Sequence, residues 1–294
     1  MHLTGIFPPI ITPFRDGEVD IEALAFNIQK WNGTGLAGYV PLGSTGEFVH
    51  LTPAERERVI ATVREHAAPD KAVIAGTGSL STAEATRLTR RAGELGADAA
   101  MVVTPFYYTS QMTDAALRAH YTAVADASPI PILLYNVPIF THLNMAVETV
   151  ARLAEHPNIA GMKDSSGNVD QLTQIVHSTP ADFILLSGAA GVVHPALTIG
   201  ADGAILAVSN VVPELCVEIY DLVKANDHAM VRRRQAVLGA VNRAISRYGI
   251  GGYKFAMELC GYRGGRPRPP LLPPDEVGRQ AIRAALVAAG VLTG

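Results

Sequence analysis

Short apolar runs alternate with longer amphipathic segments from one end of the chain to the other. The runs at residues 5–11, 38–41, 72–75, 99–103, 132–135, 159–163, 183–186 and 203–207 are too short for helices and are bounded by Gly, Pro, Asn and Ser, so they read as strands. The segments between them carry helix signals. Thr52-Pro53-Ala54-Glu55 combines an N-cap, a proline at the first helical position and a glutamate three residues after the cap, and Ser81-Thr82-Ala83-Glu84 repeats the capping box. Further helices are expected at 21–31, to about 95 after Ser81, from about 114, at about 145–155 and at 169–178. Strands that alternate with helices in this way must lie parallel and be joined by crossovers, and eight such units close naturally into a (β/α)8 TIM barrel, fold class α/β. An open doubly wound sheet is the alternative, but the early glycine turn lacks the G-x-G-x-x-G pattern of dinucleotide binding.

The barrel accounts for residues 1–212. Residues 213–294 exceed one closing helix and predict helices at 214–225, 227–247, 253–259 and 275–289. No low-complexity linker separates them, so they form a C-terminal helical extension packed on the barrel as one structural unit. Between the last two helices, Arg263 to Arg268 reads as a basic loop, which by itself is a solvated surface feature and not a nucleic-acid site.

Composition sharpens this picture. Of 294 residues, 48% are hydrophobic and 17% charged, enough apolar surface for a large core. A formal net charge of −3 favours neither nucleic acid nor an anionic membrane surface. Cys216 and Cys260 stand far apart with no metal spacing, which fits a reducing compartment and argues against a disulfide framework or a zinc site. The opening Met1-His2-Leu3-Thr4-Gly5 lacks a signal-peptide pattern, and no apolar run approaches the roughly 18 residues of a membrane span. The expectation is a cytoplasmic protein without membrane or nucleic-acid partners.

One strand departs from the apolar pattern. Ile159-Ala160-Gly161-Met162-Lys163-Asp164 carries a lysine where an apolar residue would be less costly. A desolvated lysine loses its proton more readily and becomes a nucleophile toward a ketone; the structural alternative is an ammonium that reaches solvent or pairs with Asp164. In a barrel, chemistry sits at the carboxyl ends of the strands. The polar residues expected there are Ser44, Thr45, Thr77, Tyr107, Tyr108, Tyr135 and Lys163, with Tyr135 and Lys163 on adjacent strands at similar height. An unprotonated Lys163 can form an iminium with a 2-keto acid, which makes the neighbouring C–C or C–H bond breakable. Tyr135 can carry the protons, and the Gly43-Ser44-Thr45-Gly46 turn offers hydroxyls and backbone N–H groups to a carboxylate.

Gly43-Ser44-Thr45-Gly46-Glu47, Tyr135-Asn136-Val137-Pro138 and Gly161-Met162-Lys163-Asp164-Ser165-Ser166-Gly167 resemble the three signature motifs of the dihydrodipicolinate synthase and N-acetylneuraminate lyase family. They stand in the family's order and spacing, and the resemblance spans essentially the whole chain. It implies a barrel with C-terminal helices, class I aldolase chemistry on pyruvate with no cofactor or metal, and a homotetramer built as a dimer of dimers. It further implies Lys163 as the Schiff-base lysine and Tyr135 as the acid/base phenol. Ser44 and Thr45 would hold the keto-acid carboxylate, Thr45 also linking Tyr135 to a proton relay. Tyr107, with Tyr108 beside it as the alternative, would match the tyrosine that reaches into a neighbouring subunit's site. Ile205 would supply a backbone carbonyl near the lysine, and Gly188, which ends strand seven, would be a substrate-binding position with Phe140.

Two departures bear on the substrate. Synthases of the family that take aspartate semialdehyde carry an arginine two residues after the proline of the Tyr-Asn-x-Pro motif, and that position is Phe140 here. Sialic acid lyases place an Asp-Glu pair after the glycine of strand seven, where Gly188 is followed by Ala189-Ala190-Gly191. The substrate's tail pocket is therefore expected to be more apolar or wider, with His142 either a substrate contact or a surface residue. The expected function is a Schiff-base lyase that cleaves or condenses a 2-keto acid, pyruvate plus an aldehyde, such as a 2-keto-3-deoxy sugar acid or a 4-hydroxy-2-oxo acid. The alternatives are 4-hydroxy-tetrahydrodipicolinate synthase, a keto-acid dehydratase and, from another class, a non-catalytic keto-acid-binding barrel.

Overall fold

The computed structural model describes residues 3–293, so Met1 and His2, part of the stretch read for a signal peptide, lie outside it, as does Gly294. Eight parallel strands form its main sheet: β1 (Gly5–Phe7), β2 (Gly38–Tyr39), β3 (Ala72–Gly76), β4 (Ala99–Val103), β5 (Ile132–Asn136), β6 (Ile159–Asp164), β7 (Ile184–Ser187) and β8 (Gly203–Ile205). Each pairs with its sequence neighbour from β2 to β8, and β8 pairs with β1. The remaining seam is closed by Ala37 N–H to the Ile6 carbonyl (2.9 Å), Val40 N–H to the Pro8 carbonyl (2.9 Å) and Ile10 N–H to the Val40 carbonyl (3.0 Å). Pro8 and Pro9 have no N–H to give, so this seam is a sparse bridge and not a full ladder. The result is a (β/α)8 barrel.

Side chains alternate across each strand and separate two layers. Leu133, Tyr135 and Val137 fall in the interior with Phe7, Val40, Met101, Leu186 and Ile205. Ile132, Leu134, Met162 and Leu185 face the surrounding helices. A third cluster joins β1 and β2 to the C-terminal helices through Ile6, Ile28, Trp31, Tyr39, Cys216, Leu238, Ile245 and Tyr253. Those helices are Pro213–Lys224, His228–Ser246, Gly249–Leu259 and Glu276–Ala288. Fully burying each isoleucine or leucine among them stabilises the fold by roughly 1.5–3 kcal/mol, which ties the extension firmly to the barrel wall.

Local signals act as their chemistry dictates. Thr52 caps helix Pro53–His66, its side chain accepting from Glu55 N–H (3.3 Å) while Glu55 accepts from Thr52 N–H (2.8 Å). The turn at Asp16-Gly17 does more than separate strand from helix: it closes a small hairpin of Phe14–Arg15 and Glu18–Val19, too short for a periodicity to register. The basic loop also differs from its solvated reading. Arg268 stacks over Phe14 at 4.4 Å and its guanidinium binds Glu55 and the carbonyls of Gly17 and His50. Glu55, Glu47 and the nearby carbonyls gather acceptors around it that lie far away in sequence. Among the described residues, no helix is long and apolar enough to cross a membrane.

Candidate active site

Tyr135 and Lys163 are register partners on β5 and β6, so both project from neighbouring strands toward the barrel interior at one height. They are 4% and 3% exposed, and Lys163 Nζ lies 4.1 Å from the centroid of the Tyr135 ring. The reading in which Lys163 pairs with Asp164 fails on the alternation of the strand. Asp164 faces the opposite side, where it accepts from Asn136 Nδ2 (2.7 Å), Gln171 Nε2 (3.2 Å) and Ser166 N–H (2.9 Å). Asn136 also accepts from Met145 N–H at 3.1 Å, so this outer network fixes the ends of β5 and β6 while leaving the amine to the interior. Among the described residues no carboxylate ion-pairs with Lys163.

Room for the lysine depends on Gly188. A Cβ there would sit 1.9 Å from Ser165 Oγ and 3.0 Å from Lys163 Cε. Only glycine lets the loop after β7 approach so closely.

Ser44–Gly46 is a single 3-10 turn after β2. The hydroxyl within reach of Tyr135 is that of Ser44, with Oγ 3.5 Å from Tyr135 Oη, whereas the resemblance gave that link to Thr45. The distance is long for a hydrogen bond, as is common before a substrate tightens a site. The turn ends at Glu47, a non-glycine residue at φ +57°. Such backbone is held only where the surroundings compensate it, and here they do. The Glu47 carboxylate is fully buried, ion-paired to Lys254 Nζ at 2.8 Å, and accepts from Arg268 N–H at 2.9 Å; His50 Nδ1 lies 3.2 Å away. Lys254 is 1% exposed and donates to the carbonyls of Thr12 (2.8 Å) and Arg266 (3.0 Å), and burial pushes its pKa down to about 8. The sequence reading missed this anchor. Its one signal was Lys254 within the mostly apolar helix Gly249–Leu259.

The other expected residues are distributed unevenly. Ile205 lies in the same interior cluster as Tyr135. Thr77 is turned away, its hydroxyl 2.8 Å from that of Thr89. Tyr107 is 71% exposed and packs edge-on against Tyr108, with ring centroids 5.0 Å apart. Phe140, 61% exposed, stands on the short helix Pro138–Thr141 at the barrel mouth, followed by His142 in a left-handed conformation. A groove of about 300 Å³ runs beside it, lined by residues that include Ser44, Val103 and Val137. A much narrower space of about 10 Å³, room for a water at most, lies against Tyr135 and shares Ser44, Phe48 and Val103 with the groove. Among the described residues no group of three or more His, Cys, Asp or Glu could hold a metal ion.

The family model of the dihydrodipicolinate synthetases matches residues 2–289. The chain belongs to that family. It is 39% identical over 289 residues to a 4-hydroxy-tetrahydrodipicolinate synthase of Ruegeria pomeroyi, covering 98% of this chain and 99% of the relative. A prophage protein of the dihydrodipicolinic acid synthase family from E. coli K12, solved in complex with pyruvate, superposes with a TM-score of 0.93 at 28% identity, covering 99% of both chains. A monomeric dihydrodipicolinate synthase variant superposes with a TM-score of 0.93 at 30% identity, covering 99% of this chain and 98% of its own. The protein is thus a lyase of the class that forms a Schiff base with pyruvate. The tetramer implied by the resemblance does not follow from the fold, since a monomeric relative shares it.

Proposed function

We propose that the enzyme joins pyruvate to an aldehyde, or cleaves the resulting 4-hydroxy-2-oxo acid, through an iminium at Lys163. The observation that supports this most is the direct opposition of Lys163 and Tyr135 in the barrel interior, with Nζ 4.1 Å from the centroid of the phenol ring. In the condensing direction the neutral amine adds to C2 of pyruvate, and the carbinolamine loses one water to give the iminium. Loss of a C3 proton then yields an enamine. Its electron pair forms a bond to the aldehyde carbon while the aldehyde oxygen takes up a proton, and one water releases the product and restores the amine. Tyr135 is the proton carrier, within reach of Ser44, and the Ser44-Thr45 turn seats the pyruvate carboxylate. Ile205 and Gly188 shape the floor around the lysine. The exposed Tyr107, with Tyr108 beside it, would complete the relay in a neighbouring subunit of a homotetramer, a dimer of dimers.

A second reading, 4-hydroxy-tetrahydrodipicolinate synthase, is favoured by the name of the Ruegeria relative. Phe140 speaks against it, because a phenyl ring cannot pair with the second carboxylate of aspartate semialdehyde. Incubation with pyruvate and borohydride, followed by mass spectrometry of the peptide that carries Lys163, tests the chemistry. A reduced pyruvyl adduct absent from Lys163→Ala is expected. No adduct in the wild-type enzyme would end the Schiff-base assignment.

A further inference from the structure

The groove at the barrel mouth carries more information about the electrophile than the catalytic pair does. Eight of its lining side chains are apolar, and six of them, Phe48, Val49, Phe106, Phe140, Ile250 and Leu271, come from five separate segments. Two of the four polar side chains among them, Glu47 and Thr141, are already committed. The Glu47 carboxylate is held by Lys254 and by Arg268 N–H, and Thr141 Oγ1 donates to the Val137 carbonyl at 3.1 Å. His50 has Nδ1 engaged by Glu47. Among the described residues, no lysine or arginine lines the groove. A carboxylate or a run of hydroxyls entering it would lose water and find only the Ser44 hydroxyl and His50 Nε2 as partners, and such loss is costly. An apolar group would instead exchange water for contact with apolar side chains. The groove shares Ser44, Phe48 and Val103 with the narrow space at Tyr135, so a substituent lying in it leaves its carbonyl toward the phenol. Its volume of about 300 Å³ is at the small end for a ligand pocket, enough for one ring or a branched chain.

We infer that the aldehyde partner of this enzyme carries an uncharged apolar group, aromatic or branched alkyl, which seats between Phe140, Val49, Ile250 and Leu271. This rests on the pyruvate Schiff-base reading and names the electrophile that reading leaves open. The bond that forms is that between pyruvate C3 and the aldehyde carbon, with no oxidant or reductant required.

The test uses the full-length enzyme with pyruvate and four aldehydes: benzaldehyde, 3-methylbutanal, glyceraldehyde and aspartate semialdehyde, followed by pyruvate consumption. One methylene in an apolar pocket already discriminates by about 10–200-fold, so kcat/KM for at least one apolar aldehyde should exceed both polar ones by about tenfold or more. Phe140→Arg should shrink or invert that ratio by a similar factor, and Phe140→Leu should preserve it. Both substitutions fall on an exposed position, where folding is not at risk. Equal or better turnover of glyceraldehyde or aspartate semialdehyde by the wild-type enzyme would overturn the inference. So would a ratio indifferent to Phe140→Arg. With a borohydride adduct present on Lys163, such a result removes this inference alone; without the adduct, both it and the Schiff-base reading fall.

Discussion

Replacing Lys254 by methionine tests how the C-terminal extension supports the site. Methionine keeps most of the stem's volume and removes the ammonium. The Glu47 carboxylate then stays buried with only Arg268 N–H and His50 nearby, and the carbonyls of Thr12 and Arg266 lose their shared donor. Removing one partner of a buried ion pair costs about 3–5 kcal/mol. At about 2 °C per kcal/mol for a chain of this size, melting should fall by roughly 6–10 °C. Because Glu47 ends the Ser44–Gly46 turn at φ +57°, its release should also raise the KM for pyruvate more than it lowers kcat. Thermal melts and initial rates on Lys254→Met, Glu47→Gln and the double variant form the assay. The double variant removes both charges and should be more stable than Lys254→Met alone, with a coupling energy above about 1 kcal/mol. A loss below about 1 kcal/mol in Lys254→Met, or strict additivity, would refute the idea that this pair anchors the turn.

Three further outcomes follow from the same geometry. The Arg268 guanidinium holds the Glu55 carboxyl down to about 2 from its ordinary 4.5, so its stabilisation is complete above about pH 4.5 and is lost as pH falls toward 2. The stability lost between about pH 6 and about pH 3 should be on the order of 2 kcal/mol greater in wild type than in Glu55→Gln, read from denaturant midpoints; identical pH slopes would contradict the assignment. Tyr135→Phe keeps the ring beside Lys163 and removes only a 3.5 Å hydroxyl contact, so the melt should hardly move while adduct formation slows about 10²–10⁴-fold. An unchanged trapping rate would exclude the phenol as proton carrier. Gly188→Ala pushes a methyl group into Ser165 and against Lys163 Cε, which should cost about 1–3 kcal/mol and lower the adduct yield; a fully active, fully stable variant would show that the loop yields freely.

Much of the fold was legible because its signals are local. The strand at 99–103 and the helix at 169–178 fall where their apolar periods end, and Thr52 with Glu55 caps a helix using atoms three residues apart. The juxtaposition of Lys163 and Tyr135 was equally visible, since a lysine and a tyrosine at the ends of adjacent apolar strands are set against each other by any parallel barrel with this beat. What the chain could not disclose by itself depends on partners that periodicity does not reveal. The stretch from Phe14 to Val19 cannot be named a hairpin from two-residue strands, and the basic loop looked solvated because Glu55 and Glu47 lie about 200 residues before Arg268. Likewise Ser44, not Thr45, reaches Tyr135 because a 3-10 turn rotates one of two adjacent hydroxyls inward, a choice made by backbone dihedrals that Glu47 and Lys254 hold. The sequence alone determined the barrel and the placement of Lys163 against Tyr135, through periodicity and residue type. Only tertiary structure decided which hydroxyl meets the phenol, what anchors the turn and which side chains join Phe140 at the mouth, because each depends on side chains that folding brings together from distant segments.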